Sequence, residues 1–154
     1  TLILFIASPS SLMMGDDGRV WLAYLIVVTK ITDIGGYFVG KMWGRHKLAP
    51  QLSPKKTFEG AIGGLALALI ASIGFYLFGE AFEGIRFSLT LGQAIFLGIV
   101  SSILGQLGDL SESLFKRDSH MKDSNTIPGF GGVLDMFDSL IFTAPALFLF
   151  MRIV

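Results

Sequence analysis

Four acids bracket a basic stretch between Gly108 and Ser139. Asp109 and Glu112 precede it, and Asp135 and Asp138 follow it. Each pair is spaced i, i+3, so a helix places both members on one face. Between the pairs lie Lys116, Arg117, Lys122 and the glycine-rich turn Pro128-Gly129-Phe130-Gly131-Gly132. Carboxylate oxygens are the hard ligands that Mg²⁺ takes, with waters and substrate phosphates filling its shell. Cationic side chains beside them suit phosphate oxygens. Together these types point to metal-assisted chemistry on a phosphate-bearing substrate. For one pair alone, helix capping and ion pairing with Lys116 and Arg117 is the simpler account. Two pairs beside apolar spans favour a bound cation, because acids there are costly unless paired or ligated.

Two further groups bear charge next to apolar sequence. Ser53-Pro54-Lys55-Lys56-Thr57-Phe58-Glu59-Gly60 precedes a long apolar run. Thr57 is placed to cap the helix that follows, and helix N-termini favour anions. Lys55 and Lys56 then either neutralise phosphate oxygens or simply set membrane topology. The GxxxxGK pattern of a phosphate-binding loop is absent. Asp33 lies inside an apolar stretch, one turn from Lys30. An ion pair within the helix and an acid lining a site are both compatible with that spacing, and intramembrane acids favour the second. The turn at 128–132 suits either an anion nest or a plain flexible loop.

The elements that must position these groups are apolar. Of 154 residues, 52% are hydrophobic and only 16% charged, against about 25% charged in ordinary soluble domains. This is the composition of a membrane protein. The formal net charge of zero gives no reason to expect a nucleic-acid partner. No cysteine is present, which excludes thiolate metal sites within this chain. His46 and His120 are far apart in sequence, so a histidine-rich centre is not expected.

Hydropathy predicts an all-α, polytopic transmembrane bundle of about five spans. Residues 1–14 read as the stub of a first span, and the chain as the C-terminal part of a longer one. Spans follow at 20–40, 60–79, 87–108 (continuing as helix through Phe115) and 133–151, each near the ~20 residues a bilayer needs. Polar loops are expected at 41–59 and 116–132. Both loops are rich in Lys and Arg, whereas the opposite side offers Arg19, Arg86 and Arg152. The positive-inside rule therefore puts both loops, and the acids near them, on the cytoplasmic face.

In order along the chain, these residues resemble the phosphatidate cytidylyltransferase, or CDP-diacylglycerol synthase, family. The resemblance is carried by Ser113-Leu114-Phe115-Lys116-Arg117, Lys122-Asp123, Pro128-Gly129-Phe130-Gly131-Gly132 and Asp135-Met136-Phe137-Asp138. Upstream it is carried by the 53–60 segment, by Gly105-Gln106-Leu107-Gly108-Asp109, and by Asp33 with Gly35, Tyr37 and Gly40. It covers nearly the whole chain. Phe130 stands where the signature usually has histidine, and Met136 where it usually has arginine, so no role of those two residues carries over.

The resemblance implies transfer of a cytidylyl group from CTP to phosphatidic acid in a bilayer, giving CDP-diacylglycerol and pyrophosphate. It implies catalytic roles for Asp109, Asp135, Asp138, Lys122 and Asp123. Substrate contacts fall to Asp33, Lys55, Lys56, Thr57, Lys116 and Arg117. Asp109 and Asp135 become principal Mg²⁺ ligands, with Glu112 and Asp138 completing the site or holding a second cation. One membrane-embedded catalytic domain over 1–154 is expected, in a bacterial-type plasma membrane with its site facing the cytoplasm. A homodimer is left open. A polytopic lipid or prenol kinase and an ion-coupled transporter are the alternatives that share part of the pattern.

Overall fold

Helix α1 (Gly18–Trp43) is followed by two strands, β1 (Lys47–Ala49) and β2 (Ser53–Thr57). Helices α2 (Phe58–Ala81) and α3 (Leu91–Asp118) come next, and residues 142–150 form a further helical segment, α4. The computed structural model describes residues 18–81, 89–118, 140 and 142–150.

Helix α2 reveals the solvent it was built for. Its buried positions are Gly60, Gly64, Ala68 and Ser72, a row of small residues four apart. Its large apolar side chains point outward, with Ile62, Ile70, Leu77 and Phe78 all exposed. A helix in water would arrange these the other way round. Small residues inside and aliphatic residues outside is the pattern of helices packed in lipid. Three helices are long and apolar enough to cross a membrane, over Val20–Trp43, Phe58–Ala81 and Leu91–Ser111. Twenty-four residues rise about 36 Å, more than the ~30 Å hydrocarbon layer. The protein is an integral membrane protein. The expected spans at 20–40, 60–79 and 87–108 correspond to these helices; 1–14 lies outside the described residues, and only part of 133–151 lies within them.

Small residues let α1 and α2 approach to backbone contact. A Cβ on Gly60 would sit 2.6 Å from the Gly36 carbonyl oxygen and 3.1 Å from Gly40 Cα. A Cβ on Gly64 would sit 2.8 Å from the Thr32 carbonyl oxygen. Farther along, a polar tie joins three helices. Ser72 Oγ donates to the Ala94 carbonyl oxygen at 2.6 Å. Its only proton is then spent, so the Tyr24 hydroxyl donates to it at 2.7 Å. Around this tie pack Trp21, Leu25, Val28, Leu97 and Leu147. The Tyr24 ring meets Phe75 edge-on at 5.3 Å.

The 41–59 segment corrects the sequence reading. It is not a loop between helices: α1 runs on to Trp43, and an antiparallel hairpin fills 47–57. Lys47 pairs with Thr57 and Ala49 with Ser53, with an irregularity between Lys47 and Ala49. Ala49-Pro50-Gln51-Leu52 makes the turn, closed by Leu52 N donating to the Ala49 carbonyl oxygen at 3.2 Å. Pro50 at its second position has the φ such a turn needs. Pro54 lies within β2, where a two-stranded ribbon leaves a free edge that tolerates it.

Candidate active site

Strand β2 runs directly into α2, and Thr57 makes the junction rigid. Its Oγ1 accepts from Gly60 N at 3.1 Å, capping the helix as the sequence suggested. The hairpin is also clamped from outside. Phe58 N donates to the His46 carbonyl oxygen at 3.0 Å. The Glu59 carboxylate accepts from His46 N at 3.2 Å and contacts His46 Nδ1 at 2.6 Å. These bonds fix where the β2 lysines point.

Between the hairpin and the helix ends lies a cavity of about 570 Å³, within the ~300–1,000 Å³ range of small-molecule sites. Helix α1 contributes the i, i+4 row Asp33, Tyr37 and Lys41, with Gly36 and Gly40 alongside, and Gly44 follows just past its end. The hairpin contributes Lys47, Ser53, Lys55 and Lys56, and α3 contributes Gln106 and Asp109. The α1 C-terminus, the α2 N-terminus and the latter half of α3 therefore meet at one end of the helices. Helix α3 continues nine residues past Asp109 to Asp118, which carries the backbone of Lys116 and Arg117 beyond the same end.

Among the described residues the cavity lining is unbalanced toward positive, with four lysines (41, 47, 55 and 56) and two aspartates (33 and 109). Asp33 is paired within its own helix, with Oδ2 3.3 Å from Lys30 Nζ. Lys56 crosses to α3, with Nζ 3.1 Å from Asp109 Oδ2. Both members of that pair are only about a quarter exposed, at 27% and 28%. The Lys56 ammonium itself is buried, and among the described residues its alignment gives it no hydrogen-bond partner. Among the described residues it is held by charge alone, with its three donors unspent. Gln106 fixes the register that makes the pairing possible. Its Nε2 donates to the Ala61 carbonyl oxygen and to Ser102 Oγ, each at 3.1 Å. Asp109 follows three residues later on the same side of α3.

Comparison with known proteins places nearly the whole chain in a family. The model of the cytidylyltransferase family matches residues 2–154. The chain belongs to the cytidylyltransferase family. Among its relatives is a phosphatidate cytidylyltransferase of Staphylococcus haemolyticus, 45% identical over 133 residues, covering 86% of this chain and 49% of that protein. The Staphylococcus aureus protein of that name is 42% identical over the same shares. The Chlamydia pneumoniae one is 41% identical over 138 residues, covering 86% of this chain and 43% of the relative. The chain thus spans about half the length of the curated relatives it matches.

Of the site residues the sequence singled out, the cavity gathers Asp33, Lys55, Lys56, Thr57 and Asp109. Alternation along β2 separates the tandem lysines: Lys55 is exposed, whereas Lys56 turns inward. Glu112, Lys116 and Arg117 belong to α3, but their side chains lie outside the described residues. Lys122, Asp123, Asp135, Asp138 and the turn at 128–132 lie outside them altogether. Among the described residues no three metal-ligating side chains gather. Mg²⁺ does not require that many, because one or two carboxylates with water and phosphates suffice. Asp109 fits such a role: it is a half-buried oxygen donor in the cavity that already holds a cation, the Lys56 ammonium, against itself. The sequence reading missed Tyr37, Lys41, Lys47 and Gln106 as cavity residues. The i, i+4 row from Asp33 was the available signal for Tyr37 and Lys41.

Proposed function

We propose that this protein is a catalytic unit of a membrane cytidylyltransferase. In this reading it converts CTP and phosphatidic acid to CDP-diacylglycerol and pyrophosphate, on the cytoplasmic face of a bacterial plasma membrane. One observation carries the reading: a lysine-rich cavity with a Lys56–Asp109 pair lies at the end of membrane-length helices, in a cytidylyltransferase-family chain.

The chemistry follows from the charges. A lipid phosphate oxygen attacks the α-phosphorus of CTP, and the bond from that phosphorus to the β-phosphate bridging oxygen breaks. Pyrophosphate departs with the electron pair. The attacking phosphate is already ionised, so the reaction needs no general base. Two polyanions must be brought together, and the excess of lysines in the cavity offsets their repulsion. Lys56 and Lys55 take the nucleotide phosphates, with Lys47 from the paired strand and Lys41 from α1 lining the same cavity. The Thr57 cap fixes the backbone that carries both β2 lysines. Asp109, with Asp135, Glu112 and Asp138, would hold Mg²⁺, which when bound screens the phosphate charge and steadies the leaving group. Apolar flanks of the helix ends keep the lipid phosphate at the depth of the cavity mouth.

The test is pyrophosphate release by the whole protein in lipid–detergent micelles. Release should require both CTP and phosphatidic acid, and ATP should not replace CTP. A nucleoside diphosphate product, or release indifferent to phosphatidic acid, would contradict the assignment.

A further inference from the structure

The Lys56 ammonium is an unusual group. It is buried, lacks a hydrogen-bond partner among the described residues, and lies 3.1 Å from a carboxylate on another helix. Its neighbour Lys55 borders the same cavity yet remains exposed. The two lysines therefore differ in task. Two carboxylates, Asp109 at 3.1 Å and Asp33 through space, engage the Lys56 charge, but among the described residues none of its donors is taken up. A better-hydrogen-bonded partner, such as a phosphate oxygen, would draw it away. Asp109 would then be free for another cation.

We propose that Lys56 is a built-in placeholder cation for the carboxylate of Asp109. A divalent cation and Lys56 compete for that carboxylate, and nucleotide phosphate relieves the competition by taking Lys56. Cation and nucleotide binding thereby become positively coupled through one side chain, and coupling of this kind is reciprocal. The gain is in the order of events. Asp109 is never left uncompensated in the cavity it shares with Asp33, and the cation is gripped firmly only when the phosphates are in place. This rests on the cytidylyltransferase reading above, and it adds a control on when that site assembles.

The probe is Mn²⁺, followed by electron paramagnetic resonance on the whole protein in nanodiscs without nucleotide. Lys56→Met and Lys56→Gln should each bind Mn²⁺ at least ~10-fold more tightly than wild type, the scale of ordinary site–site coupling. Lys55→Met removes the same formal charge from an exposed position. It should change affinity by less than about threefold, because solvent screens it. Adding CTP should tighten Mn²⁺ binding more in wild type than in either Lys56 variant. A second measurement needs no substitution. In wild type, amine acetylation of Lys56 read by mass spectrometry should be slow, rise when Mn²⁺ is added, and fall again with CTP. Unchanged or weaker Mn²⁺ binding in the Lys56 variants, an equal effect of Lys55→Met, or Lys56 acetylation indifferent to Mn²⁺ would each overturn the placeholder role while leaving the activity assignment intact. Wild type that binds no Mn²⁺ even with CTP would overturn both.

Discussion

Gly60→Ala adds one methyl group where the backbones of α1 and α2 approach closely. That Cβ would stand 2.6 Å from the Gly36 carbonyl oxygen, 3.0 Å from Thr57 Oγ1 and 3.1 Å from Gly40 Cα. Ordinary contact begins near 3.4 Å, so the shortfall against Gly36 is 0.8 Å. Two of the three neighbours are backbone atoms, which no rotamer change can move aside. The helices must separate by most of that distance, or Thr57 must give up its cap. Overpacking of this size costs about 1–3 kcal/mol. The displacement also falls on the site, because α2 starts beside β2 and moving it shifts Lys56 relative to Asp109. A misplacement near 1 Å lowers rates by about 100-fold. Gly74→Ala is the matched control: the same helix and the same methyl, with nothing within 4 Å of the added Cβ. The assay is CTP-dependent pyrophosphate release, with thermal unfolding in the same micelles. Gly60→Ala should lose both rate and melting temperature, and Gly74→Ala neither. If Gly60→Ala keeps wild-type turnover within about twofold, the close crossing does not position the site and the reasoning from 2.6 Å fails.

Asp109→Asn keeps the shape but removes the charge that Lys56 faces at 3.1 Å; turnover should fall at least ~100-fold, and a near wild-type rate would show that the cation is held elsewhere. Glu59→Ala removes the acceptor for His46 N; amide exchange across 47–57 should quicken while global melting changes little, as for an exposed pair. Tyr24→Phe breaks the hydrogen bond to Ser72 and should cost about 1 kcal/mol of stability without changing turnover, since the tie lies far along α2 from the cavity. Single cysteines at positions 50 and 120 should be labelled only from the cytoplasmic side; outward labelling of either would separate the two basic segments and end the shared-site account.

Residues with the wrong polarity for their surroundings were the legible part of the site. Asp33, Lys55, Lys56 and Asp109 each interrupt or border an apolar run, and four such departures drew attention to what proved to be one cavity. Thr57 was legible as a cap from the helix that follows it. The hairpin was not: 41–59 has no strict alternation of polar and apolar residues, and Pro54 argued against a strand. Lys41 and Lys47 read as ordinary positive-inside charge, because topology and phosphate binding call for the same residue type at the same depth. Gln106 is neutral, and its role depends on a contact with Ala61 that sequence spacing does not encode. The Lys56–Asp109 pair spans two helices; sequence supplied both members but nothing to pair them, since each had nearer partners of opposite charge. The span count suffered differently, since residues 1–14 and the first part of the expected 133–151 span lie outside the described residues.

The most direct measurement of the central claim follows two labels in one reaction. The whole protein, in micelles containing phosphatidic acid, is given CTP labelled at the α-phosphate or at the γ-phosphate. Cytidylyl transfer predicts the α-label in the lipid fraction and the γ-label in free pyrophosphate, with both lost in Asp109→Asn. A γ-label found in the lipid would mean phosphoryl transfer to the lipid instead, and would contradict the account.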